Sequence, residues 1–264
     1  MIAGTLQTGN AMLEKFRAAK EQEISGLVQL HRQGKMPVSF SGKRTSFQTG
    51  LKQKKTAVIA EYKRASPSKG DINLAVTPQL IAKAYADAGA GAVSVLTEEV
   101  YFKGSLSYLN IFSESGLPIL RKDFIYHPLQ VEQTAAYPAS AILLIVRCLD
   151  DGRLAELIAK SLDFGLEPVV EVCDAQDLQR AKLAKAQIIQ VNNRDLDRLV
   201  VDKTISRTLI QERESHEFWI TASGIESHAE LSEMLDLGFD AALIGSSLMA
   251  DGNPGEKLNC IING

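Results

Sequence analysis

In residues 56–70, TAVIAEYKRASPSKG, a carboxylate and an ammonium stand two positions apart where an apolar run meets a turn. Val58, Ile59 and Ala60 fit a buried strand, and the Ser-Pro-Ser-Lys-Gly that follows continues neither strand nor helix. Side chains alternate along a strand, so Ile59, Glu61 and Lys63 share one face while Val58, Ala60 and Tyr62 share the other. Glu61 and Lys63 therefore project side by side at a strand end, an arrangement suited to moving protons. A strand that merely reaches solvent and turns charged would read the same way, so the rest of the chain must decide.

Other polar groups recur in matching positions. Lys122 lies in LPILRKDF, with Leu120, Lys122 and Phe124 on one face of an extended chain. Glu171 lies in VVEV, Asn192 and Arg194 in VNNRDL, Ser223 and Gly224 in TASGI, and Gly245 and Ser246 in LIGSSLM. A lysine facing inward must pair or do chemistry, because an unpaired buried ammonium is expensive; Glu171 and Glu61 are the evident partners. The small residues of the last two motifs leave backbone amides open to close approach by an anion such as phosphate. Two lysines and two glutamates beside such a pocket point to proton transfers on a small phosphorylated carbonyl compound, although an ion-pair network closing the fold would use the same residues.

These groups need a scaffold that brings them together. From residue 57 the chain alternates short apolar runs with helical stretches. The runs are Ala57–Lys63, Ala92–Thr97, Pro118–Lys122, Ala141–Val146, Pro168–Val172, Ile188–Asn192, Phe218–Ala222 and Ala241–Gly245. Helical patterns fall between them at Gln79–Ala88, Leu129–Ala136, Arg153–Phe164, Ala175–Ala184, Thr204–Arg213 and Ser227–Leu237. Thr77, Asp150, Asp174 and Ser227 are placed to cap helices, and Gly89, Gly165 and Gly238 to end them. Such alternation predicts an α/β fold, a parallel (β/α)8 TIM barrel spanning 56–264, preceded by an amphipathic helical extension over 1–55, in a single domain overall. In such a barrel the reacting groups sit at the carboxyl ends of the strands, where the polar residues above all fall.

The 264 residues suit one barrel, and 45% apolar with 23% charged residues is ordinary for a globular protein with a large core. A net charge of −3 with interspersed signs argues against nucleic acid as a partner. Cys148, Cys173 and Cys260 have no metal-like spacing, and the four His are scattered, so no structural metal is expected. The N-terminus lacks the pattern of a secretory signal and no apolar run reaches about 18 residues, so a reducing, cytoplasmic setting without membrane is expected. No long apolar surface stripe marks an oligomer, leaving a monomer or weak homo-oligomer.

The motifs IAEYKRASPSKG (59–70), SVLTEEVYFKGS (94–105), LPILRKDF (117–124), AILLIV (141–146), VVEV (169–172), VNNRDL (191–196), SGI (223–225) and LIGSSLM (243–249) occur in order over nearly everything from residue 57 onward. The chain resembles the indole-3-glycerol-phosphate synthase family. That resemblance implies conversion of 1-(2-carboxyphenylamino)-1-deoxyribulose 5-phosphate to indole-3-glycerol phosphate, with loss of carbon dioxide and water and without a cofactor. It implies Lys122 as general acid for ring closure, Glu171 as stabiliser of the cationic intermediate, and Lys63 and Glu61 as acid and base in the dehydration. It further implies Asn192, Arg194 and Ser66 as residues orienting the substrate, Ser223, Gly224, Gly245 and Ser246 as its phosphate holders, and Phe124 and Leu143 as walls for its aromatic ring.

Three positions depart from the family pattern. Ala222 stands where a Glu is usual, Gln190 where a Gly commonly precedes the Asn-Asn-Arg-Asp run, and Tyr137-Pro138 where an Ala-Gly turn is usual. The first two suggest that Gln190 takes up volume or hydrogen-bonding room left by the missing Glu. The third is expected to be a loop variation without catalytic meaning. Two alternatives remain in view. One is a phosphoribosylanthranilate isomerase, which would use Cys and Asp on strands one and six, whereas strand one here ends in Glu and Lys. The other is a non-catalytic paralogue, which Ala222 and Gln190 permit and which the presence of Lys122 and Glu171 opposes.

Overall fold

A computed structural model describes residues 11–195 and 200–264. Residues 1–10 of the expected extension and Leu196 of the VNNRDL motif lie outside these. Eight parallel strands close a barrel: β1 (Val58–Tyr62), β2 (Ala92–Leu96), β3 (Ile119–Lys122), β4 (Ala141–Ile145), β5 (Glu167–Val172), β6 (Ile188–Asn192), β7 (Phe218–Ala222) and β8 (Ala241–Ile244). Neighbours in sequence are neighbours in the barrel, and β1 closes against β8 through Val58–Ala242, Ile59–Leu243 and Ala60–Ile244. Every strand starts and ends within one residue of its expected bounds.

The helices are α1 (Ala11–Arg32), α2 (Phe47–Lys52), α3 (Pro78–Asp87), α4 (Ser107–Ser113), α5 (Pro128–Ala135), α6 (Asp151–Asp163), α7 (Ala175–Leu183), α8 (Thr204–Leu209), α9 (His228–Asp236), α10 (Ser246–Met249) and α11 (Pro254–Asn263). Thr77, Asp150, Asp174 and Ser227 cap as expected, each side chain accepting from an amide in the first turn of its helix. Gly89, Gly165 and Gly238 follow helix ends with positive φ of 89°, 68° and 109°. The expected helix Thr204–Arg213 is shorter: α-helical geometry stops at Leu209 and a 3-10 turn, Ile210–Glu212, replaces the rest. Among the described residues no helix is long and apolar enough to cross a membrane.

Strand alternation divides the core into two layers. Val58, Ala60, Val93, Val95, Ile142, Leu144, Val170, Ile189, Trp219 and Ala242 face outward and pack with the helices. Ile59, Leu120, Leu143, Val169, Ile188, Ile220 and Leu243 fill the barrel itself, so the interior is packed and only its two ends are free for other uses.

The segments before β1 cover those ends. Phe47 and Leu51 of α2, both fully buried, join the inner cluster, and Glu167 at the start of β5 accepts from the amides of Phe47 and Gln48 at 2.6 and 3.0 Å. One carboxylate thus satisfies two orphan donors at a helix N-terminus and fixes α2 to the floor. At the mouth, α1 lays Phe16 on Phe124, just past β3, with ring centroids 4.1 Å apart and planes 18° from parallel. Lys20 anchors the same helix by pairing with Asp123 at 2.6 Å.

Candidate functional site

A cavity of about 440 Å³ opens at the carboxyl ends of the strands. The expected site residues line it: Glu61 on β1 and Lys63 just after it, Ser66 in the short hairpin strand that follows, Lys122 at the end of β3 with Phe124 beyond it, and Leu143 on β4. Glu171 on β5, Asn192 at the end of β6 with Arg194 beyond it, Ser223 and Gly224 after β7, and Gly245 and Ser246 after β8 complete the set. Parallel strands carry every strand end to the same mouth, which is why residues up to about 185 positions apart in sequence meet here.

Two ion pairs occupy the cavity base. Lys63 Nζ lies 2.6 Å from Glu61 Oε1, and Lys122 Nζ lies 3.7 Å from Glu171 Oε2. Glu61 and Glu171 are almost wholly buried, whereas the two lysine side chains keep some exposure. Burial works to raise the Glu61 pKa, but Lys63, Lys122 and Arg194 more than offset it and hold the carboxyl below its usual range. Glu61 is therefore an anion at neutral pH. Its Oε2 has no hydrogen-bond partner among the described residues, which leaves a buried acceptor unengaged. Gly245 makes room for this carboxylate, since a Cβ there would stand 2.3 Å from Glu61 Oε1.

Glu171 sits in a chain of hydrogen bonds. Asn192 Nδ2 donates to Oε1 at 3.1 Å and Gln190 Nε2 donates to Oε2 at 2.6 Å. The Asn192 orientation is fixed in turn, because its Oδ1 accepts from Ser223 Oγ at 2.9 Å and from the Arg194 amide at 3.0 Å. Ser223 and Gly224 both adopt positive φ, 72° and 86°, so the chain turns sharply after β7 where it lines the cavity. A Cβ on Gly224 would stand 2.7 Å from Val201.

Barrel order places unlike walls opposite one another. β7 and β8 supply the small-residue loops, while β2, β3 and β4, across the barrel, lead to Phe102, Phe124, Leu143 and Ile145. Phe16 from α1 closes that apolar wall, edge-on to Tyr101 at 5.2 Å. The loop bearing Tyr101 and Phe102 is itself built: buried Glu98 accepts from the amides of Val100, Tyr101 and Phe102 at 3.0, 2.7 and 3.0 Å. Gly104 permits the tight return, as a Cβ there would meet the Leu96 carbonyl at 2.4 Å.

Sequence reasoning missed Phe16, Phe102, Glu98 and the cavity-lining pair Lys203 and Glu230, which are 2.5 Å apart beside Gly224. Phe16 carried only a helical spacing signal, and Glu98 nothing to distinguish it from Glu99. The three departures resolve differently. Ala222 lines the cavity, opposite Asn192 in register, whereas Gln190 lies one inward position deeper, opposite Glu171 and Ile220. Gln190 bonds to Glu171 instead of reaching into the mouth. Tyr137 and Pro138 form the turn between α5 and β4, at the floor end, where Arg44 donates to the Tyr137 carbonyl at 3.2 Å.

The model of the indole-3-glycerol phosphate synthase family matches residues 13–260. The chain belongs to this family. Relatives include the indole-3-glycerol phosphate synthase of Aquifex aeolicus, 42% identical over 249 residues that cover 93% of this chain and 96% of that one. The synthase of Exiguobacterium sibiricum is 43% identical over 206 residues, 78% of this chain and 80% of its own. Among solved structures, a 3-hexulose-6-phosphate synthase from Salmonella typhimurium superposes with a TM-score of 0.60 at 13% identity, covering 78% of this chain and 96% of that one. An N-acetylmannosamine-6-phosphate 2-epimerase from Clostridium perfringens gives 0.58 at 14% identity, with 80% and 93% covered. At such identities the likeness is one of fold. Membership in the synthase family agrees with the resemblance carried by the strand-end motifs, and sets aside the isomerase alternative.

Proposed function

We propose that the chain is an indole-3-glycerol-phosphate synthase, closing the indole ring of 1-(2-carboxyphenylamino)-1-deoxyribulose 5-phosphate with loss of carbon dioxide and water, in tryptophan biosynthesis. The observation that carries this reading is the placing of two lysine–carboxylate pairs between an aromatic wall and an anion-accepting loop pair, in one cavity. A substrate with an arene at one end and a phosphate at the other would span it, with the ring against Phe124, Leu143 and Phe16, and the phosphate at Ser223, Gly224, Gly245 and Ser246. Anchoring both ends folds the linker between them and lowers the entropy of bringing the ring carbon to the carbonyl.

In the first half, Lys122 gives its proton to the substrate carbonyl oxygen as the ring carbon attacks, so the oxygen becomes a hydroxyl. Positive charge then delocalised over the ring and its nitrogen is offset by Glu171, and the electrons of the carboxylate bond are taken up as carbon dioxide leaves. In the second half, Lys63 protonates the departing hydroxyl and Glu61 accepts the ring proton, releasing water. Glu61 suits the base role because its neighbours hold it anionic and one of its oxygens is unengaged. Asn192, Arg194 and Ser66 orient the substrate. The reading extends to a single domain acting in the cytosol as a monomer or weak homo-oligomer, which agrees with three cysteines that remain thiols.

Single-turnover formation of indole fluorescence from the carboxyphenylamino substrate tests the assignment. Wild-type protein should form indole-3-glycerol phosphate in stoichiometric amount. A folded protein that binds a substrate analogue and forms none would refute it in favour of the non-catalytic paralogue.

A further inference from the structure

Gln190 is fully buried, does not line the cavity, and is the amide packed against Glu171. Its Nε2 stands 2.6 Å from Glu171 Oε2, the same oxygen that faces Lys122 Nζ at 3.7 Å. The amide orientation is forced, because turning it over would set its oxygen against a carboxylate. Its own Oε1 has no partner among the described residues, so the side chain is held in place by the bond its Nε2 makes to Glu171. Oε1 of Glu171 is meanwhile engaged by Asn192 at 3.1 Å.

We propose that Gln190 is a positioning residue for ring closure: by occupying Glu171 Oε2 it fixes the carboxylate and keeps Lys122 from closing into a tight ion pair with it. This rests on the synthase reading, in which Lys122 must give up a proton. An ammonium in a short ion pair holds its proton more firmly than one at 3.7 Å, so an acid facing a carboxylate needs something else to satisfy that carboxylate. Gln190 supplies a neutral donor that does so without itself titrating. Gln190 is thereby tied to the reacting centre from beneath, out of reach of the substrate. Glu61 on β1 interacts with Lys122, and Cys173 beyond β5 with Glu171; Lys63 and Arg194 in turn interact with Glu61, and a substitution at Gln190 leaves all four in place.

Gln190→Met keeps the length and removes the donor. Its expected signature is a fall in kcat of about tenfold or more, with KM within about twofold of wild type. The alkaline limb of the kcat–pH profile should move upward, because a lysine drawn onto the freed carboxylate oxygen releases its proton at higher pH. A folded Gln190→Met whose kcat and alkaline limb match wild type overturns the proposal. So does one whose kcat falls while the limb stays put, since a purely structural role would do that. Gln190→Glu gives an independent readout if the Met variant does not fold. Its carboxyl can donate to Glu171 only while protonated, so its activity should fall with rising pH across a range where wild type is flat; activity parallel to wild type at every pH would overturn the proposal. Wild-type protein that forms no indole-3-glycerol phosphate overturns the synthase reading itself, an outcome distinct from an active wild type with unaffected variants.

Discussion

The two ends of the barrel are closed by consecutive pieces of the same N-terminal segment, yet they are finished in opposite ways. At the floor, α2 buries Phe47 and Leu51 completely, and both oxygens of Glu167 are used by helix amides. At the mouth, α1 stacks Phe16 over Phe124, but the groups beneath are left incomplete: Glu61 Oε2 has no partner and the Lys122–Glu171 pair stands at 3.7 Å. A finished end contributes stability, while an unfinished one has interactions reserved for a ligand. Substitutions at the two ends should therefore separate activity from stability.

The largest separation is expected at Lys122. Lys122→Ala removes the proposed acid for ring closure and should lower kcat by about a thousandfold, with a melting temperature close to wild type because the loosely paired lysine contributes little to folding. Single-turnover indole fluorescence beside a thermal melt checks both. A loss of activity matched by a collapse in melting temperature would mean that the mouth is as structural as the floor. The converse test is Phe47→Ala, which empties a fully buried aromatic site beneath the barrel. It should cost about 3–5 kcal/mol and lower the melting temperature by roughly 10 °C, with kcat and KM unchanged at temperatures where the variant is folded.

The same contrast explains what could be read in advance. The strands were legible because each is a short apolar run bounded by turn residues, and in a parallel barrel such runs are buried on both faces. The charged cavity residues were legible because charge at the end of an apolar run, as at Glu61, Lys122 and Glu171, conflicts with its surroundings. Phe16 was not, since an aromatic on an amphipathic helix looks the same whether it meets core or substrate. Glu98 acts through backbone amides two to four residues on, which leaves no pattern of residue types. α4 escaped notice because Leu106 offers no capping side chain and the helix is only seven residues long. α11 had legible signals, Asn253 as cap and Pro254 at the first turn, but follows the last strand, where no alternation called for it. Gln190 was read as filling space near residue 222; the partner it reaches, Glu171, is set by strand register, which only the folded barrel reveals.

An intermediate effect is expected from Phe16→Ala. Losing a ring that stacks at 4.1 Å on Phe124 removes part of the apolar wall, so KM should rise about tenfold with a smaller change in kcat. The melting temperature should fall less than in Phe47→Ala, because the space opened fronts the cavity. An unchanged KM would mean that α1 covers the mouth without touching substrate, making the two ends alike.

The smallest effect concerns how α1 is held. Lys20 pairs with Asp123 at 2.6 Å, and Asp123 also meets Arg121 at 3.0 Å and Thr97 at 2.6 Å. Burial acts to raise the Asp123 pKa, but Arg121 and Lys20 outweigh it and bring it below 3.8. Burial likewise acts to lower that of Lys20, and Asp123 with Glu23 outweighs it, taking it above 10.5. A depressed carboxyl contributes stability above its unfolded value that is lost as pH falls through the folded one. A raised lysine contributes stability below its unfolded value that is lost as pH rises through the folded one. Lys20→Met leaves Asp123 its Arg121 and Thr97 partners, so wild type should melt only a few degrees higher. That margin should be flat between about pH 5 and 9 and shrink below about pH 4 and above about pH 10.5. Melting curves of the two proteins across this range check it, and a margin that keeps its size at both extremes would show that α1 is held by its apolar face alone, as α2 is at the other end.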